Sequence, residues 1–482
     1  MEALHIIRKD PIKNSEEIED TAAPQSKFEV ALSHLQTYLE RVKMTKQGIE
    51  FKEHETVVVR LTHALGQAAL SDILSQYDVS CDVITVEEQA YRRKHKAPKE
   101  YQTALGPVLV ERHLYVNRKK DGDGQSICPL ELQTGIIEGY WTPMAARNAM
   151  WALAHLTPQE VEDMLLQFGT MNPSRSSLDR LPKALNQRWE PQTIAYHEAL
   201  IANERIPANA VSFSTSLDGV MIGMKPNREG IEDKKPMKTE WREASCGTIS
   251  FFDAAGERLS TIQYGQMPEH KKATLKALLR IHTEAILQQR RDLKLIHLAD
   301  GALDNWTFYD EDMPYGFQLT DFYHACEYLK KAFDAAYSKD ALKARAKYET
   351  YKVILRDELE GIKKTLRALR HLRHQHKGNK IIQDSVTYFT NNQHRMLYAQ
   401  AKSKQYPIGS GIVEAACKTL VGQRLKRAGM SWQHNGGQGI LTFRSLIKSL
   451  RFDNAWEFIE KQYRRKIVEH KNVVYLAVQN EG

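Results

Sequence analysis

The chain has 482 residues, 42% of them hydrophobic, and its 68 Lys plus Arg against 60 Asp plus Glu leave a net charge of +8. That length predicts two to four domains, at roughly 100–200 residues each, and the mildly basic balance permits nucleic acid without requiring it. Five scattered cysteines without a CxxC pair exclude a disulfide scaffold and a structural zinc site, and the polar N-terminus and the lack of a long apolar run exclude a signal peptide and a membrane span, so a soluble intracellular protein is expected.

Residues 1–77 read as a loose polar tail followed by helices, with Val58, Leu61, Leu65, Ala69 and Ile73 at helical spacing. Residues 78–141 read as a small β module. Cys81–Val86 and Tyr101–Val116 alternate about Gly106-Pro107, and Asp121-Gly-Asp-Gly124 is a turn signal. Residues 142–205 form a helical region. Thr157-Pro-Gln-Glu160 is a helix start, Gly169 a stop, and Asn172-Pro-Ser174 caps a second, short helix expected to end before Pro182. This outline suits a helix-turn-helix that binds DNA, but no base-reading pattern is visible in it and an ordinary helical hairpin has the same outline.

From residue 206 the pattern turns to α/β. Strands are expected at Val211–Gly223, Ala244–Asp253 and Arg258–Tyr264, with a charged loop at Lys225–Glu243. A helix over Lys271–Arg291, a buried strand over Leu293–Leu298 and a last strand over Gly316–Leu319 follow. Three meander strands, then helix, strand, short helix and strand, is the element order of the ribonuclease H fold. The expected architecture is therefore multidomain α+β, with a ribonuclease H-like α/β catalytic core. Residues 206–325 supply its first part, a basic helical insertion at 326–405 interrupts it, and residues 406–456 close it. A basic tail, 457–482, ends the chain. Between Lys330 and Lys380 the insertion carries fifteen Lys or Arg against six Asp or Glu, which fits a phosphate-binding surface or a solvated helical face.

Three acids stand out in this frame. Asp218 lies on the first strand before Gly219, and Asp300 follows the fourth strand before Gly301. The first and fourth strands of such a sheet are neighbours, and a helix laid across the sheet can bring Glu414 to the same point. Asp-Gly is also a common turn dipeptide, and Glu414 with Lys418 also reads as an exposed i,i+4 pair. Taken together, the three carboxylates suit two Mg²⁺ (or Mn²⁺) ions, which prefer oxygen ligands and promote in-line displacement at phosphorus. Asp321 and His324 have D-x-x-H spacing just after the last strand, where Asp321 also suits a helix start. Lys418, Arg424, Lys426 and Arg427 follow Glu414 as a cradle for a DNA backbone. Trp432 is either a base-stacking platform or a core residue.

The blocks SLDGVMIGMK around Asp218, HLADGALDNW around Asp300 and YPIGSGIVEAACKTLVGQRLKRAGMSW around Glu414 resemble those of bacterial insertion-sequence DDE transposases, most of all the ISKra-type family. The Asp321-x-x-His324 pair is similar to the C/D-x-x-H signature of Mutator-like relatives. The resemblance implies a metal-dependent enzyme that binds terminal inverted repeats, cleaves DNA and joins the freed 3′-hydroxyl to target DNA. It implies Asp218, Asp300 and Glu414 as the metal-binding catalytic triad, with Asp321 and His324 supporting the site. It further implies a homodimer or higher homo-oligomer on DNA, no membrane partner, and a bacterial cytoplasmic, nucleoid-associated location. Two other readings of the same residues are a structure-specific nuclease or resolvase that does not join strands, and a non-catalytic DNA-binding derivative.

Overall fold

The computed structural model describes residues 26–44, 50–117, 124–169, 171–226 and 238–470. The expected N-terminal tail, most of the Asp121–Gly124 turn and the last residues of the expected C-terminal tail lie outside them. The architecture is mixed α and β, with two sheets and several helical groups. No helix among the described residues is long and apolar enough to cross a membrane.

Helices α1 (Lys27–Met44) and α2 (Phe51–Ser75) open the described chain, and α1 buries no residue. The first sheet follows, with β1 (Val83–Val86), β2 (Gln89–Thr103), β3 (Gly106–Asn117) and β4 (Gln125–Ile127). Its β2–β3 hairpin turns at Gly106, whose φ of 115° explains the glycine there. Leu74 of α2 packs with Tyr101, Val108 and Val110 of this hairpin, which gives the module its own apolar core.

A helical group comes next: α3 (Pro129–Thr134), α4 (Pro143–Leu153), α5 (Pro158–Phe168), α6 (Arg175–Trp189) and α7 (Thr193–Ala202). The Thr157–Glu160 capping box forms in both directions, and α5 stops at Gly169 in the left-handed conformation. The expected end of the next helix before Pro182 is wrong. Helix α6 continues through Pro182 to Trp189, because Leu178, Leu181, Leu185 and Trp189 all bury on one face. That burial outweighs the roughly 3 kcal/mol cost of an interior proline.

The second sheet contains β5 (Ser212–Met224), β6 (Glu240–Phe252), β7 (Arg258–Gln266), β8 (Lys294–Ala299) and β9 (Phe317–Thr320), with α8 (Ala273–Gln289) and α9 (Leu303–Glu311) in its connections. Strand order is β7-β6-β5-β8-β9; the first three strands are antiparallel, and the β5–β8 and β8–β9 pairs are parallel. Strand β6 begins at Glu240, four residues before the expected Ala244. Its exposed charged start is recruited because Met224 to Met221 of the long β5 pair with Glu240 to Glu243. Helix α8 covers one face, where a Cβ on Gly247 would lie 2.8 Å from Leu275.

The stretch expected as a helical insertion contains five helices: α10 (Phe322–Ala336), α11 (Ala341–Asp357), α12 (Gly361–Gln375), α13 (Lys380–Asn392) and α14 (Tyr398–Ser403). Leu329, Phe333, Leu355, Leu366, Leu369 and Phe389 form its core. Lys363, Lys364, Arg367, Arg370 and Arg373 are exposed on α12, so the basic excess faces solvent.

The chain then returns through α15 (Gly411–Ala416), a π-helical turn at Cys417–Gly422 and α16 (Gln423–Leu425). Val413, Ala416, Cys417 and Leu420 pack with Ile222, Ala244 and Cys246 on the sheet face opposite α8. Helices α17 (His434–Lys448) and α18 (Phe452–Tyr463) follow. The expected basic tail is only partly a tail. Its start completes α18, and β10 (Ile467–His470) pairs antiparallel with β1, so the far end of the chain joins the first sheet.

Candidate active site

Strand register decides how two of the three acids sit. Thr215 of β5 pairs with His297 of β8, and Asp218 and Asp300 each lie three residues beyond that pair on parallel neighbouring strands. Beyond His297 the two strands diverge: β8 ends at Ala299 while β5 continues to Met224. The carboxylates therefore stand at the mouth of a fork in the sheet.

Asp218 is half-buried. Gly219 N–H donates to its Oδ1 at 2.7 Å, and the Cys417 thiol donates to Oδ2 at 3.8 Å. Burial pushes its carboxyl above the usual range, the Gly219 N–H opposes that, and the negative charges of Asp300 and Glu414 push it further up while Lys272 pulls it down. Asp300 closes an Asx turn. Its Oδ1 accepts from Ala302 N–H at 3.1 Å and from Asn305 Nδ2 at 2.9 Å. Glu414 is exposed on α15, where Ser410 Oγ donates to its Oε1 at 3.1 Å.

Asp321 is completely buried and accepts two backbone N–H groups, that of His324 at the start of α10 and that of Ser410 in the Gly-Ser-Gly turn. It ties the helix leaving the sheet to the loop that carries Glu414. His324 contributes its backbone to that cap. Its ring lies edge-on to Tyr328 and Tyr388, with centroids 5.5 and 5.9 Å away.

Several neighbours of the site carried no sequence signal. Glu243 on β6 lies over Gly219, where a Cβ would come within 2.0 Å of its Oε1, and Lys272 Nζ pairs with the same oxygen at 2.8 Å. Lys271 and Lys272 both have left-handed backbones, with φ of 50° and 56°, just before α8. Cys417 reaches Asp218 only because a helix crosses the sheet. Asn305, five residues after Asp300, was visible as a polar residue in the motif but not as its partner.

The donor set suits a hard divalent ion, since all three acids offer oxygen and their charges oppose one another. The rotamers do not form a ligand cage. Each carboxylate is engaged by its own local donors, and among the described residues no three His, Cys, Asp or Glu side chains are gathered closely enough to hold one ion.

The residues expected to hold DNA beyond Glu414 separate. Lys418 and Lys426 are exposed. Arg427 is committed to an ion pair with Glu160, which the Arg427 hydrogen bond and the Thr157 N–H hold down to a pKa of about 2. Arg424 does not lie on the surface expected for it. It is 1% exposed, its Nε donates to Leu153 O at 3.0 Å, and its guanidinium sits 5.2 Å from the Trp432 ring centroid. The extra residue taken up by the π-helical turn redirects the chain after Cys417 and turns this arginine inward. Trp432 is not a free platform either. Its indole N–H donates to Leu425 O at 2.9 Å, and its backbone pairs with the end of β5.

No family model matches the chain, and no curated protein matches it. Among solved structures, the Drosophila P element transposase strand transfer complex is similar at 9% identity and a TM-score of 0.24, over 66% of this chain and 80% of that one. A likeness at that level carries no weight for fold or function.

Proposed function

We propose that the protein is a DNA transposase of the DDE type, with a ribonuclease H-like core, that cleaves and joins DNA strands with divalent metal ions. One observation carries the reading: Asp218 and Asp300 lie equally far past a paired position on adjacent parallel strands, while Glu414 arrives from a helix across the same sheet. The effect of both other acids on the Asp218 carboxyl supports their electrostatic proximity.

In this reading Asp218, Asp300 and Glu414 would hold Mg²⁺ or Mn²⁺. Such ions supply charge neutralisation and an activated oxygen nucleophile at phosphorus. The protein's own residues set the geometry. Gly219 N–H orients Asp218, the Asn305 amide orients Asp300, and Asp321 anchors the Ser410 loop from which Glu414 projects. Lys272 supplies a cation beside Asp218, and exposed Lys418 and Lys426 extend the positive surface past Glu414.

The test is cleavage and strand joining of an oligonucleotide that carries a candidate element end, in Mg²⁺ and Mn²⁺. Wild type should cut and join; Asp218→Asn, Asp300→Asn and Glu414→Gln should each abolish both while still binding DNA. Cutting without joining would assign a nuclease instead. Undiminished cutting by Asp218→Asn would remove the triad.

A further inference from the structure

A cleft of about 720 Å³ lies between the start of α7, the first turns of α8 and the start of α17, and none of Asp218, Asp300 and Glu414 lines it. Its charge is opposite to that of the chain. The whole sequence carries a net +8, yet Glu190, Glu198 and Glu269 line this cleft and no described lysine or arginine does. His434 is the one imidazole on its wall, 3.6 Å from Glu190.

The acids differ in what they have left to offer. Glu269 is spent on the start of α8, where its two oxygens accept from Thr274 N–H at 3.0 Å and Leu275 N–H at 3.1 Å. Glu190 accepts from Asn186 Nδ2 at 2.9 Å with one oxygen. Glu198 is exposed on α7 and has no hydrogen bond or ion pair among the described residues. Exposed acids alone describe a solvated helix face. A buried amide makes this cleft different.

Gln266 ends β7, and its neighbours on the strand fix its direction. Tyr264 reaches His282 of α8 at 2.8 Å, whereas a Cβ on Gly265 would meet Ser445 and Leu441 of α17. Strand alternation therefore turns Gln266 back toward α8, where it lines the cleft with Ala273 and Ala277. The residue is 9% exposed, and its amide makes no hydrogen bond among the described residues while keeping solvent access. The other buried amide of the cleft, Gln438, is fully used: it accepts from Met267 N–H at 2.8 Å and donates to Thr442 Oγ1 at 3.0 Å. Leaving a buried amide without a partner costs ~1–3 kcal/mol, which a donor bound in the cleft would offset.

The spread of the acids selects the ligand. Among the described residues no three His, Cys, Asp or Glu side chains gather around one point, so the cleft does not suit a single metal ion. The acids are instead distributed beside Pro191 and Ile194, an apolar floor. That arrangement fits several ammonium groups joined by methylenes. Each ammonium offers its donors to a carboxylate or an amide carbonyl, and the methylenes pack on the floor as a lysine stem does.

We propose that this cleft binds an aliphatic polyamine of the spermidine class, with its ammonium groups on Glu198, the Gln266 carbonyl and Glu190 and its methylenes over Pro191 and Ile194. The assignment goes beyond the DNA-processing reading and does not depend on it.

The test is isothermal titration calorimetry of the full chain in EDTA at low salt, with spermidine, putrescine and butylamine as probes. Wild type should bind spermidine at one saturable site, putrescine more weakly and butylamine more weakly still. Glu198→Gln should lose about fivefold in spermidine affinity, the size of an exposed charge contact. Gln266→Leu should lose about tenfold, the size of one hydrogen bond to a charged group. Glu198→Gln changes an exposed residue and keeps the test informative if Gln266→Leu fails to fold. Glu311→Gln removes an exposed acid outside the cleft and should leave the affinity at the wild-type value. Absence of spermidine binding by wild type overturns the proposal, as does undiminished binding by Glu198→Gln. An equal loss in Glu311→Gln assigns the effect to overall charge and also overturns it. Butylamine binding as tight as spermidine removes the polyamine, and an arginine-rich peptide that binds at Glu198 where spermidine does not assigns the cleft to a protein partner instead. None of these results touches the carboxylate triad, whose own test is strand cleavage.

Discussion

Gly301 follows Asp300 at the point where the sheet meets the insertion, and replacing it with alanine tests that junction. A Cβ there would lie 2.4 Å from Cε2 of Tyr388, about 1 Å inside ordinary contact at 3.4 Å. The ring cannot swing aside freely. Tyr388 is stacked on Tyr328 with centroids 4.0 Å apart and planes 5° apart, and it is 9% exposed. Helix α13 must therefore retreat, at an overpacking cost of ~1–3 kcal/mol. The lower chain entropy of alanine returns only ~0.4–1 kcal/mol. Gly301→Ala should thus destabilise by about 1–2 kcal/mol, read as a lower urea midpoint at constant m. Tyr388→Ala alone should cost ~3–5 kcal/mol. With the ring removed, Gly301→Ala should become neutral or slightly stabilising, so the double variant should fall short of additivity by more than 1 kcal/mol. Additivity within ~0.5 kcal/mol would refute the contact, because non-interacting sites behave that way.

Asp218→Asn should also change stability, with a defined pH dependence. The folded carboxyl is raised above its unfolded value, so wild type is more stable at acid pH and loses that advantage as pH rises through the raised folded value. The asparagine variant should gain on wild type in urea melts from pH 4 to pH 7, and the gain should vanish below pH ~3.9. Asp321→Asn puts an amide opposite two backbone N–H donors in a fully buried position. It should cost about 1–3 kcal/mol and reduce strand cleavage in the oligonucleotide assay while leaving duplex affinity in EDTA intact. Thr157→Ala removes the N-cap of α5 and should cost roughly 1 kcal/mol in chemical denaturation. The Glu160 carboxyl in that box is held at about pKa 2, so its contribution is present at neutral pH and is lost as pH falls from its ordinary value toward 2.

Much of this protein is legible in local patterns. The meander of β5, β6 and β7, the later strands β8 and β9 and the Thr157 capping box follow from alternation, turn residues and cap chemistry, which act over a few neighbouring residues. The aspartates were visible because each stands beside a glycine at or near a strand end. What failed was decided by partners distant in sequence. Pro182 stays inside α6 because four apolar side chains bury together, and Glu240 becomes strand because β5 extends far enough to pair with it. Arg424 reads as a surface cation in any local window and becomes a buried one through the π-helical turn and the packing of Trp432. Cys417, Lys272 and Glu243 join the candidate site from three other elements, with no motif to announce them. Backbone preference and hydrophobic period are properties of the segment itself, so sequence alone determined the order of β5 to β9 and the start of α5, whereas β10 and most of β2 were not marked by it. Side-chain exposure and charge environment depend on every segment packed nearby, so only the tertiary structure decided which cations meet solvent and which acids meet one another.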